Sequence, residues 1–147
     1  MFDRLIPPAL ADAALQHLRA EVPGMPPVKR RMYPTKQIAV AEMRVKLEQT
    51  RALFLQNARD AAVDPDKDTR MRLYAAHYTI MENAQALAAL AIRTCGGQSM
   101  LKSLPLERLY RDSRCGSLML PWTAELCIDR LGRECLYEAG ERDEAIE

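Results

Sequence analysis

The strongest constraint on the fold is a long helical pattern from Thr35 to Thr94, broken once by Asp64-Pro65-Asp66. Val40, Met43, Leu47, Phe54, Ala58 and Ala61 recur at steps of three, four and seven, with Arg44, Lys46, Glu48 and Arg51 mostly between them. That spacing predicts an amphipathic helix from about Thr35 to Ala62, because residues three and four apart share one face. After the turn, Leu73, Ala76, Ile80, Ala84, Leu87 and Ala91 form one stripe, and Tyr74, Tyr78, Met81, Ala88 and Ile92 form another beside it. The two stripes predict a helix over about Asp68 to Thr94 that meets two neighbours.

Shorter helical patterns flank this pair. Leu10, Ala14 and Leu18, with Ala11 and Leu15, predict a first helix ending before Pro23 and Gly24, and it is barely long enough to line a bundle. Residues 23–34, PGMPPVKRRMYP, read as a linker. Gly96 and Gly97 stop the third helix, and Pro105 opens a short one through about Ser113. A last helix from about Thr123 to Glu138 has Ala124, Cys127, Ile128, Leu131 and Cys135 on one side, and residues 139–147 read as a solvated acidic tail. No βαβ alternation or internal repeat appears. The expected architecture is one all-α antiparallel helical bundle over residues 1–147, since each apolar face needs a partner to exclude water.

Composition narrows the function classes. With 21 Lys and Arg against 20 Asp and Glu, the 147-residue chain lacks the basic excess that favours nucleic acid or anionic membranes. The clusters Lys29–Arg31 and Arg70–Arg72 come without a groove-reading motif or stacking platform. Asp3, Arg4 and Asp12 interrupt the N-terminal region where a signal peptide needs an apolar core, so the reading is cytoplasmic and without a membrane span. The four cysteines form no CxxC pair, and His17 and His77 are the only histidines, so no metal site is expected. His77 reads as an ordinary helix residue and Cys95 as a small packing group beside the glycine turn. Trp122, the only tryptophan, reads as a packing residue or a plug at a subunit interface.

The order of the remaining signals is specific: CGG at 95–97, PLERLYRDSR at 105–114, then an amphipathic helix. Over about residues 31–138 the chain resembles the C-terminal helical domain of the acyl-CoA dehydrogenase family. That family has a GGxGY stretch, then proline and glutamate before an RxxRDxR segment. Gly96-Gly97-Gln98-Ser99-Met100 is a reduced form of the first element, and Pro105, Glu107, Arg108, Arg111, Asp112 and Arg114 match the second. The residues alone predict an ion-pair network of three arginines around Asp112 that braces the short helix, and the resemblance implies the same role near a flavin.

The resemblance also implies FAD contacts. Arg31 matches the family arginine that reaches FAD phosphates, although Pro34 and Thr35 replace the aromatic residue and glycine that usually follow; as plain sequence, Lys29-Arg30-Arg31 is a solvated charge run. Arg93, Gly96 and Gly97 match a turn that meets the cofactor bound to a partner subunit, with arginine in place of glutamine, while the glycines alone are equally a helix cap.

The resemblance places the catalytic carboxylate of many members within a Tyr-Glu-Gly-Thr stretch. Here Met119, Leu120 and Pro121 stand there, and leucine cannot take a proton. Glu125 reads as a helix-start residue, and Asp12 and Glu21 have no matched role, so no catalytic residue is assigned. The expectation is a domain that is inactive alone and contributes one edge of an FAD and acyl-thioester site, within a homo-oligomer or beside a missing flavoprotein subunit. The alternative is a non-catalytic assembly module of the same descent.

Overall fold

A computed structural model of the chain describes residues 6–20, 31–138 and 141. Within them lie α1 (Ile6–Arg19), α2 (Pro34–Asp60), α3 (Lys67–Cys95), a 3₁₀ turn (Gly97–Met100), α4 (Pro105–Leu118) and α5 (Ala124–Leu136). The described residues are all-α, as the periodicities predict. Most of the expected linker and acidic tail fall outside the described residues, and Pro34 belongs to α2.

Local chemistry sets the helix ends. Pro34 and Pro105 sit in first turns, where a missing N–H costs no intrahelical bond. The Asp66 side chain caps α3 by accepting from the Thr69 N–H at 2.7 Å, and Thr123 caps α5 by accepting from the Leu126 N–H at 3.2 Å. The Asp66 bond draws its carboxyl below the usual carboxylate range. Glu125 lies one residue short of the position that would complete a capping box, and serves as the acidic residue of the first turn of α5.

Helix α3 is the centre of the bundle, packing on α1, α2, α4, α5 and the 3₁₀ turn. Leu10, Ala13, Ala14 and Leu18 of α1, Ala39 and Met43 of α2, Leu87, Ala88, Leu90, Ala91 and Cys95 of α3, and Leu106 of α4 form the main core. Ala39 near the start of α2 meets this cluster with Leu90 and Ala91 near the end of α3, so the two long helices run antiparallel. Met81, Ala124 and Cys127 form a second cluster under α5, where burial pushes the Cys127 thiol pKa up.

Three details differ from the sequence expectation. Helix α1 is a full member of the core, with Leu10 and Ala14 completely buried. Ala58 and Ala61 are exposed, whereas the buried face of α2 includes Thr50, whose hydroxyl donates to the Lys46 carbonyl at 2.8 Å and so enters the core satisfied. Helix α4 continues past Ser113 to Leu118, and after Leu106 its buried residues are the small polar Ser113 and Ser117. Their hydroxyls donate to the Tyr110 and Arg114 carbonyls at 2.7 and 3.1 Å. A hydrophobic period cannot reveal such a face.

One ion pair ties α3 to α5. Arg70 Nε and Nη2 donate to the two Glu134 oxygens at 3.0 and 3.2 Å. These hydrogen bonds hold the Glu134 carboxyl below the usual carboxylate range. A carboxyl with a lowered folded-state pKa stabilises the fold above its unfolded pKa and loses that contribution as pH falls through the folded value. Glu134→Gln is therefore expected to be less stable than wild type at neutral pH, with the gap narrowing on acidification. Thermal melts of both proteins from neutral into acid pH measure this; a gap independent of pH would contradict it.

Candidate functional site

Arg31 lies at the approach to α2, held by a hydrogen bond from Gln37 Nε2 to its carbonyl oxygen at 3.0 Å. Its side chain is exposed and joins Leu15, Leu18, Arg19, Lys36, Gln37 and Val40 around a cleft of about 290 Å³ between α1 and α2. Three cations thus line one cleft with no carboxylate among its described lining residues, and none of the three forms a salt bridge among the described residues. Like charges gathered without a counter-ion repel one another, and an anion entering the cleft relieves that repulsion. The sequence singled out Arg31 alone. Arg19 and Lys36 were not recognisable as its neighbours, because Arg19 comes from a different helix and the intervening segment conceals their proximity. Lys29 and Arg30 fall outside the described residues.

The glycine turn has a firm structural basis. Gly96 has φ +83° and ψ −172°, a region open essentially to glycine, and its N–H donates to the Ile92 carbonyl at 2.9 Å to end α3. Ser99 closes the turn from within, its hydroxyl 2.6 Å from the Gly96 carbonyl oxygen and 3.2 Å from that of Ile92. A Cβ at Gly96 or Gly97 would meet no atom within 4 Å, so the turn presents an open backbone surface. Arg93 is exposed in the last turn of α3. The antiparallel packing puts this turn and Arg31 toward the same end of the bundle, yet Arg93, Gly96 and Gly97 do not line the Arg31 cleft. One chain therefore presents two separate surfaces.

The arginine-rich segment is organised differently from a network around Asp112. Arg111 pairs with Glu107, Nε to Oε1 at 2.9 Å, along the exposed side of α4. Arg114 donates to Gln85 Oε1, and Gln85 donates in turn to the buried Ser117 hydroxyl. Asp112 makes no ion pair among the described residues. Arg114 and Gln85 thus carry the bracing of α4 against α3, while the Glu107 pair, exposed and four residues apart, adds only a few tenths of a kcal/mol. The positions could not be separated by spacing alone, since Gln85 lies on another helix.

The segment that the sequence resemblance aligns with the base faces outward. Leu118, Met119 and Leu120 are 65%, 65% and 77% exposed, and this loop places no carboxylate there. Trp122 turns back, its ring centroid 5.7 Å from that of Tyr74 and the Arg130 guanidinium carbon 4.8 Å from its centre. Of the other acidic candidates, Asp12 is exposed on α1, and Glu21 lies outside the described residues. No group of three metal-ligating side chains occurs among the described residues, and no described helix is long and apolar enough to cross a membrane.

Comparison with known proteins agrees with the arrangement of helices. The family model for the C-terminal domain of acyl-CoA dehydrogenase matches residues 11–120. A solved structure of glutaryl-coenzyme A dehydrogenase in complex with glutaryl-CoA superposes with a TM-score of 0.71 at 21% identity, over 89% of this chain. The chain spans 32% of the length of that protein, and at this identity the likeness is one of fold. No curated protein matches the sequence.

Proposed function

The chain belongs to the acyl-CoA dehydrogenase C-terminal domain family, and from that premise we propose that it supplies one edge of an FAD and acyl-thioester site in a larger assembly. The observation that carries this reading is the cleft where Arg19, Arg31 and Lys36 converge with no carboxylate among its described lining residues. Its charge suits the phosphates of FAD, and the open backbone at Gly96 and Gly97 suits close approach of the same cofactor bound by a neighbouring subunit. When bound, the flavin would supply hydride acceptance. The residues of this chain would hold and orient it, and Leu120 would contribute an apolar wall where a base is usual. The exposed Ile38, Val45 and Leu55 of α2 favour assembly with sister subunits or a complementary flavoprotein chain, because exposed apolar side chains gain from exclusion of water.

A second reading has its own observation. With Leu118 to Leu120 exposed and no carboxylate at that loop, the domain suits a non-catalytic assembly role in which the apolar loop contacts a partner.

One experiment separates the readings. The isolated chain, incubated with excess FAD and freed of unbound ligand, is expected to retain no stoichiometric flavin, because a single edge leaves most of the dinucleotide in water. It should show no turnover with acyl-CoAs of several lengths and an artificial electron acceptor, and Leu120→Glu should not restore it, since an unsupported base lacks orientation. A co-purifying or complementary flavoprotein chain should restore flavin retention, and Arg31→Ala should weaken that retention. A stoichiometric yellow complex or turnover by the isolated chain would refute the proposed inactivity. Flavin retention by the complex that is indifferent to Arg31→Ala would favour the assembly role.

A further inference from the structure

At the opposite end of the bundle, a cleft of about 470 Å³ opens between the α2–α3 turn and Trp122. Asn57, near the end of α2, lies about 30 Å along that helix from Lys36 at a rise of ~1.5 Å per residue, so this cleft is remote from the cationic one. Its apolar wall comes from Ala62, Val63, Pro65 and Leu73, with the aromatic pair Tyr74 and Trp122. The pair is tilted by 38° with centroids 5.7 Å apart, and Arg130 holds the Trp122 ring by a cation–π contact. An aromatic pair held in place in this way offers ring surface to a flat molecule without first having to be ordered.

Charge in the lining is already committed. Arg70, the only fixed cation among its described lining residues, gives Nε and Nη2 to Glu134 and Nη1 to the Pro65 carbonyl at 2.7 Å. Among the described lining residues a formally charged ligand would therefore find no free counter-charge, and Arg130, outside that lining, is engaged with the Trp122 ring. Two polar side chains remain uncommitted. Asn57 and His77 are half-buried, line the cleft, and make no side-chain hydrogen bond to any described residue. An asparagine amide presents a donor and an acceptor side by side, which matches another amide edge. Apolar and aromatic walls with a few convergent polar groups are the usual composition of a small-molecule site, and the volume falls in that range.

We propose that this cleft binds uncharged planar aromatic molecules that carry an amide-type hydrogen-bonding edge. The ring stacks on Tyr74 and Trp122, and the edge pairs with Asn57 and His77. This site is independent of the flavin reading, and its test contains no flavin.

Trp122 is the only tryptophan in the chain, so intrinsic fluorescence reports on the site directly. Benzamide and benzoate are probes of nearly equal shape that differ in charge. Titrated into the full chain, benzamide is expected to change Trp122 emission saturably, and benzoate to bind at least about tenfold more weakly, a difference of ~1.4 kcal/mol. Asn57→Ala and His77→Ala, each checked for native helix content by circular dichroism, should weaken benzamide about three- to tenfold, the range of one lost hydrogen bond. No saturable response to benzamide would overturn the proposal, as expected if this cleft is instead covered by further polypeptide. Equal binding of benzoate and benzamide would overturn it too, as would undiminished benzamide binding in both variants. The matched probes need no variant, so a poorly folding substitution leaves the test intact.

Discussion

Leu87→Ala is expected to destabilise the fold by about 3 kcal/mol, within the range for large-to-small replacements at fully buried sites. Leu87 has no exposed surface and lies in α3, the one helix that packs on all the others, within the cluster shared by α1, α2 and α4. Neighbouring helices cannot close on the missing side chain independently, because each is held by its own contacts with α3. The loss therefore includes the transferred methyl groups and most of a cavity. For a domain of this size about 3 kcal/mol corresponds to roughly 6–12 °C in melting temperature. Leu55→Ala is the control: that leucine is 41% exposed on α2 and should cost under about 0.5 kcal/mol. Thermal and denaturant unfolding of both variants checks the contrast, and a Leu87→Ala protein within about 1 kcal/mol of wild type would mean that the core collapses freely around α3.

The second large effect is expected at Gly96. Gly96→Ala should cost about 1–3 kcal/mol although its new Cβ would meet no atom within 4 Å. The cost comes from the backbone: φ +83° with ψ −172° is a conformation that a side chain makes unfavourable whatever space surrounds it. Gly97 supplies the matched comparison. It has equally open surroundings but no positive φ, so Gly97→Ala should change stability by less than about 0.5 kcal/mol. Equilibrium unfolding of the pair measures the difference, and equal costs would remove the conformational explanation. The pair also divides two roles that share this turn. If the open backbone meets flavin in a larger assembly, Gly97→Ala should weaken flavin retention in the assembled protein while leaving the isolated domain nearly as stable.

Helix positions and fold class were legible because they depend on local periods and punctuation. The stripes on α2 and α3, the Asp64-Pro65-Asp66 turn, Pro105 and Thr123 each declare a face or an end within a few residues. The ordered glycine and arginine motifs further identified the family that the comparison bears out. Where helix packing replaces large apolar groups by small polar ones, as at Thr50, Ser113 and Ser117, the local signal vanishes. Burial there depends on hydroxyls bonding back to their own helix.

By itself the sequence determined an all-α bundle, its family and the glycine turn, since each rests on residues close together along the chain. Only the tertiary structure decided which charges act together. It gathered Arg19, Arg31 and Lys36 around one cleft, transferred the bracing of α4 from Asp112 to Arg114 and Gln85, and committed Arg70 to Glu134. It also brought Asn57, Tyr74, His77 and Trp122 from two helices and a loop to one concavity. Periodicity gives each side chain a direction around its own helix axis, but the partner it meets depends on how the axes cross and how closely they approach, and those follow from packing the whole core at once.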